Sequence, residues 1–170
     1  MILLIDGRSG SGKSELAAAI AAGTTAQLVH LDDLYPGWGG LAAGSDQVPF
    51  IITEHRWRRW DWPNSRYEEW HELDPRRDLI VEGCGSLSRT SRSLADFALW
   101  VEHPSDDRRR RAIEREPGFA EHWDAWAAQE HAFLAREHSE SLADAVVEGS
   151  EVTLELPRWR AMFDPARVGE

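Results

Sequence analysis

Five short apolar runs punctuate a largely polar chain: residues 1–5, 27–31, 78–82, 96–102 and 143–147. The first, Met1-Ile-Leu-Leu-Ile5, is continuously apolar, the pattern of a strand buried on both faces. Between these runs the period changes. Residues 15–22 are alanine- and leucine-rich and stop at Gly23, a helix with a glycine cap. Residues 106–116 open with two acids and continue through a run of arginines, which predicts a second helix. Residues 119–138 carry Trp123, Trp126, Phe133 and Leu134 at helical spacings, which assigns them to core packing. His122, His131 and His138 form no metal set in this reading and lie on that helix's surface. Alternation over 152–156 predicts an additional edge strand, and the last dozen residues, with Pro157 and Pro165 nearby, a loosely packed tail. Strands alternating with helices predict one α/β domain over residues 1–170, a three-layer sandwich on a five-stranded, mainly parallel sheet.

The first strand leads into Gly7-Arg-Ser-Gly-Ser-Gly12-Lys13-Ser14, a full G-x-x-x-x-G-K-[ST] pattern followed by a helix. Glycines at 7, 10 and 12 let backbone N–H groups, including those of Ser9 and Ser11, turn toward phosphate oxygens. Lys13 is then expected at the β- and γ-phosphates and Ser14 as a ligand of Mg²⁺. The cation inventory singles out the same residue: of 19 Lys plus Arg, Lys13 is the one lysine. These residues predict a P-loop nucleoside triphosphate site with ATP and Mg²⁺ as cofactors, although donor choice between ATP and GTP stays open.

A switch GTPase would need an Asn-Lys-x-Asp element, which a chain with one lysine does not contain. The second apolar run ends at Asp32-Asp33. A carboxylate at the C-terminal end of a parallel strand faces the ligand crevice, where Asp32 can take the proton of an attacking hydroxyl. The third run ends at Glu82-Gly83, placing Glu82 near the metal, while Cys84 reads as a packing residue.

With these elements the chain resembles the uridine kinase and nicotinamide riboside kinase branch of P-loop kinases. The resemblance rests on the glycine loop, Asp32-Asp33-Leu-Tyr35, Trp60-Asp61-Trp62-Pro63, Val81-Glu82-Gly83 and the arginines between Arg108 and Arg115, spanning 1 to about 148. It implies Asp32 as catalytic base, Asp61 as a grip on ribose hydroxyls, and Glu82 near metal and substrate. It also implies Asp33 and Tyr35 beside the acceptor.

Four of the nine tryptophans, Trp57, Trp60, Trp62 and Trp70, fall within fourteen residues, interleaved with Arg56, Arg58, Arg59 and Arg66. This stretch lies in an expected acceptor-binding insertion at about 36–76, with Arg56, Trp60, Trp62 and Arg66 as substrate contacts. If its arginines all faced the pocket, the acceptor would itself be phosphorylated. Trp38, among Gly37, Gly39 and Gly40, is expected on a loop over the same site. Arg108, Arg111 and Arg115 share one helical face, expected to form a lid at about 104–118: Arg108 on the nucleotide, Arg111 and Arg115 on the transferring group. The Pro117-Gly118 pair would be its hinge.

Composition narrows the partners. A formal charge of −11 argues against a general nucleic-acid-binding role. No apolar run approaches the roughly 20 residues of a membrane helix, no secretory pattern opens the chain, and one cysteine excludes an internal disulfide framework. The expectation is a cytoplasmic kinase that phosphorylates a small-molecule acceptor with a free hydroxyl. A nucleoside or ribosyl compound leads; nucleoside monophosphate, gluconate, shikimate or pantothenate acceptors, and an NTP-binding regulatory module, stay open.

Overall fold

The computed structural model describes residues 1–149 and 152–163. Strand β1 (Ile2–Asp6) is the centre of a five-stranded sheet. Around it lie β2 (Gln27–His30), β5 (Leu79–Glu82), β6 (Phe97–Glu102) and β7 (Ala145–Glu148), in the order β2-β5-β1-β6-β7. Every pairing in this sheet is parallel. The five apolar runs are therefore its five strands.

Alternation along the strands builds two cores. Leu3, Ile5, Ile80, Leu99 and Val101 face one side with Leu16 and Ile20 of α1 (Lys13–Ala22). Leu4, Val81 and Ala98 face the other, against Leu41, Val48 and Ile51 of α2 (Leu41–Glu54) and Trp126 and Phe133 of α5 (Trp123–Glu137). Two short helices, α3 (Arg89–Arg92) and α6 (Ser139–Leu142), complete the connections. The sheet thus lies between two helical layers.

Between β2 and β5 the chain makes α2 and a separate antiparallel hairpin, β3 (Arg56–Asp61) paired with β4 (Arg66–Glu72), with a register shift between Arg58 and Trp60. After β6 comes α4 (Ser105–Arg115), then a 3-10 turn at Pro117–Glu121 before α5.

The C-terminal expectations require correction. Residues 152–156 do not form an edge strand; they belong to α7 (Val152–Arg160). Leu156, Trp159 and Phe163 recur at helical spacing and pack on the α1 side of the sheet, and Arg160 donates to the Ala19 carbonyl at 3.0 and 2.6 Å. Burial of that stripe outweighs the β-branched start of the segment. Residues 159–163 are accordingly packed, with Trp159 buried; the remainder of the expected tail, 164–170, lies outside the described residues. No helix among the described residues is long and apolar enough to cross a membrane.

Candidate functional site

The carboxyl ends of the parallel strands carry the polar side chains of one cleft. Asp6 closes β1, Glu82 closes β5, and His30 closes β2 in register with Glu82. Asp6 is buried and accepts three backbone N–H groups: Gly7 at 2.7 Å, Gly85 at 3.0 Å and Leu87 at 2.9 Å. Burial raises its pKa from 3.8 to about 7 against the pull of those donors.

The loop that follows has no room to spare. Gly10 has φ +79, and a Cβ there would lie 2.1 Å from the Arg108 carbonyl oxygen, so the backbone of α4 rests directly on the loop. Arg108 is buried and donates to the Ser9 carbonyl at 3.3 Å; Arg111 donates to the Gly10 carbonyl at 3.1 Å. Two of the three arginines expected on a lid therefore brace the loop's carbonyls. Glu130 of α5 braces its other side, accepting from Ser9 N–H at 2.7 Å and Arg8 Nε at 3.0 Å. Neither Asp6 nor Glu130 stands out in the sequence.

Lys13 is buried at the start of α1 and keeps its charge. Burial opposes that charge, but Cys84 and the carboxylates of Glu82, Asp32 and Glu130 together offset it and hold its pKa above the usual lysine value. Ser14 Oγ donates to Glu82 Oε2 at 3.1 Å, while Glu82 Oε1 meets His30 Nδ1 at 2.5 Å. That hydrogen bond raises the His30 pKa. Cys84 is buried beside the loop, 3.5 Å from Ser9 Oγ; burial pushes its thiol pKa far up, which keeps it neutral.

Asp32 lies on a 3-10 turn, Leu31–Asp33, just past β2. Its side chain reaches solvent, yet it stands inside a deep crevice; the crowding of protein around it raises its pKa, with Lys13 pulling the other way. The crevice has a volume of about 370 Å³ and brings Lys13 and Asp32 together with Ser9, Arg115 and Glu116. Its wall is aromatic: Tyr35, Trp38, Trp62, Phe119 and Trp126. Tyr35 is buried, with its hydroxyl donated to the Cys84 carbonyl at 2.8 Å, and its ring meets Trp126 edge-on at 4.8 Å. Trp126 and Phe119 thus serve core and cleft together. His122 is no plain surface residue: its ring stacks on Trp38 at 4.1 Å.

The hairpin delivers Trp62 to this wall and keeps most of its other expected contacts elsewhere. Trp60 packs edge-on against Tyr67. Asp61 accepts from Asn64 at 2.7 Å and pairs with Arg66, capping the hairpin turn, and the Asn64 bond first, then Arg66, lowers its pKa. Arg56 lies over the Trp70 ring, Arg58 donates to the Glu68 carbonyl at 2.7 Å, and Arg59 pairs with Asp33 at 3.3 Å. None of these four arginines lines the cleft.

The residues present suit a triphosphate and a cation. Among the described residues the buried Ser11 hydroxyl of the loop has no partner, and Ser14 and Glu82 offer adjacent oxygens. Among the described residues, no group of three or more His, Cys, Asp and Glu side chains makes a closed protein metal site. A cation shared between two oxygen donors and phosphates needs no such cluster.

No protein-family model matches the chain, and no curated protein matches it either. Solved structures do. A possible uridine kinase from Bacillus stearothermophilus is 21% identical with a TM-score of 0.55, over 86% of this chain and 87% of that one. Shikimate kinase from Bacteroides thetaiotaomicron is 12% identical with a TM-score of 0.58, over 95% and 97%. A sugar kinase from Janibacter sp. HTCC2649 is 14% identical with a TM-score of 0.54, over 97% and 96%. At these identities the likeness is one of fold: the chain has the three-layer α/β/α P-loop fold, shared with structures named as small-molecule kinases.

Proposed function

We propose that this protein transfers the γ-phosphoryl group of ATP to a hydroxyl of a small molecule, with a nucleoside or related ribosyl compound as acceptor. The observation that carries the reading is the meeting of Lys13 and Asp32 in one aromatic-walled crevice. Lys13 and the amides of the Gly7–Ser14 loop hold the β- and γ-phosphates. Ser14 and Glu82 would hold Mg²⁺, which when bound neutralises charge on the phosphate oxygens. His30 fixes the orientation of Glu82. Asp32 accepts the acceptor's hydroxyl proton as that oxygen bonds to the γ-phosphorus, while the bond from phosphorus to the bridging oxygen breaks and ADP leaves. Arg115 stands at the crevice to stabilise the group in flight, while Arg108 and Arg111 keep the loop in shape. In this reading α4 and the turn after it are the lid, and the hairpin with α2 is the acceptor side of a single domain.

The aromatic wall supports this choice of acceptor. Flat aromatic rings suit a planar ring, and the cations lining the crevice are Lys13, engaged with phosphates, and Arg115, beside Glu116. An acceptor bearing its own phosphate or carboxylate would need the hairpin arginines, whose partners lie elsewhere.

The test is ADP release from Mg-ATP in the presence of nucleosides, nucleoside monophosphates, sugars and hydroxy acids, with Lys13→Ala as blank. Nucleosides should stimulate release by wild type alone. Release indifferent to every acceptor would point to an NTP-driven switch, and release confined to phosphorylated or carboxylate acceptors would overturn the acceptor assignment.

A further inference from the structure

Trp38 stands where three parts of the chain meet. It lies between the Leu31–Asp33 turn and α2, with glycine at 37, 39 and 40. Its ring stacks on His122 at 4.1 Å and 16°, and on Phe119 at 5.5 Å and 14°. On the hairpin side it meets Trp62 at 5.1 Å, and Trp126 of α5 is edge-on at 6.5 Å. Its carbonyl accepts from Gln129 Nε2 at 2.7 Å. Among the ring contacts of the described residues, those of Trp38 join the hairpin to the segment that follows α4. The glycines on either side are not there for space, since a Cβ at 37 or 39 would meet nothing within 4 Å. At φ +79, Gly37 supplies backbone freedom beside a ring that is anchored on several sides.

We propose that Trp38 is a positioning residue that makes closure of the α4 side over the phosphates and ordering of the hairpin over the acceptor a single event. The inference rests on the reading of the crevice as a kinase site. A phosphoryl donor exposed to water before its acceptor is seated is hydrolysed, so a ring shared by both walls gates the competent geometry. With α4 braced on the loop, it is the segment at 117–122 after it whose movement carries the Trp38 ring and, through Trp62, the hairpin. When the acceptor orders the hairpin, the same ring favours the closed α4 side, as reciprocal coupling requires.

The direct test needs no knowledge of the acceptor. Amide hydrogen exchange is followed with and without Mg²⁺ and a non-hydrolysable ATP analogue in wild type, Trp38→Ala and Trp38→Phe. In wild type, the nucleotide should slow exchange both at 105–121 and in the hairpin at 56–72. In Trp38→Ala, protection should persist at 105–121 and disappear from the hairpin; Trp38→Phe, which keeps a flat ring, should restore it. Hairpin protection in the alanine variant equal to wild type, or none in wild type, overturns the proposal. A second readout is the ratio of acceptor-independent ATP hydrolysis to transfer. It should rise roughly tenfold or more in Trp38→Ala and stay within about threefold of wild type in Trp38→Phe, the range of ordinary coupling energies. An unchanged ratio in the alanine variant also overturns it. If wild type phosphorylates no hydroxyl yet the exchange pattern holds, the kinase reading falls and the coupling stands.

Discussion

Asp32 experiences opposed influences: the crowded crevice favours its neutral form, and Lys13 favours the carboxylate. The crevice wins, so its pKa lies above 3.8. A base must be ionised to accept a proton, and transfer should therefore decline as pH falls through that raised value. Replacing Asp32 by Asn should reduce transfer by about 10²- to 10⁴-fold while nucleotide affinity stays nearly unchanged. What transfer remains should lack the acid limb attributable to this group. Steady-state kinetics from pH 4 upward, paired with nucleotide titration, check both; an asparagine variant with near-normal turnover would remove Asp32 from the base role. The placement of Lys13 and Ser14 at the start of α1, directly after the glycine loop, was readable because a fixed motif sets it through near neighbours in sequence. Trp60, Asp61 and Arg66 show the opposite. Their types suit a substrate site, but the hairpin turn uses Asp61 for Asn64 and Arg66, a pairing that only the turn's geometry reveals.

At the scale of elements, β1, β5 and β6 could be read because their apolar runs are buried between layers, and the edge strands β2 and β7, only partly buried, from shorter apolar stretches broken by polar residues. The hairpin could not. Its strands alternate arginine, tryptophan and glutamate, half-exposed on a two-stranded sheet with no deep core to impose a simple pattern. The α7 segment misleads for another reason: its opening residues favour a strand, and what decides for a helix is the docking of Trp159 against α1's side of the sheet. Trp159 is buried and its ring meets Phe97 at 6.0 Å. Its replacement by Ala should cost about 3–5 kcal/mol, the usual range for emptying a buried aromatic site. Urea unfolding followed by far-ultraviolet dichroism measures the loss. A change below about 1 kcal/mol, the level of a surface substitution, would mean that α7 contributes little to the fold.

Across the whole molecule, the phosphate loop is held by parts of the chain that lie far from it in sequence. Asp6 knits β1 to the turn after β5, α4 lies on the loop from above, and Glu130 reaches it from α5 across 121 residues. Such a role is invisible in a helix that reads as core on one face and polar on the other, because it exists only once α5 has docked. It has a pH signature. Burial alone would raise the Glu130 pKa, but the Ser9 N–H, the Ser9 hydroxyl and Arg8 outweigh it, and the pKa falls below 4.5. A carboxylate whose folded pKa is depressed stabilises the protein fully above its unfolded pKa, and that contribution is lost as pH falls through the folded value. Glu130→Gln leaves one acceptor for Ser9 but turns an N–H₂ toward the Arg8 donor, so it should cost about 1–3 kcal/mol near neutrality. The deficit against wild type should hold from pH 8 down to about 5, then shrink below the ordinary glutamate range near 4.3. Denaturant unfolding of both proteins across that interval decides it. A deficit constant down to pH 3 would mean that the Glu130 charge does not hold the loop, and that its contribution is packing alone.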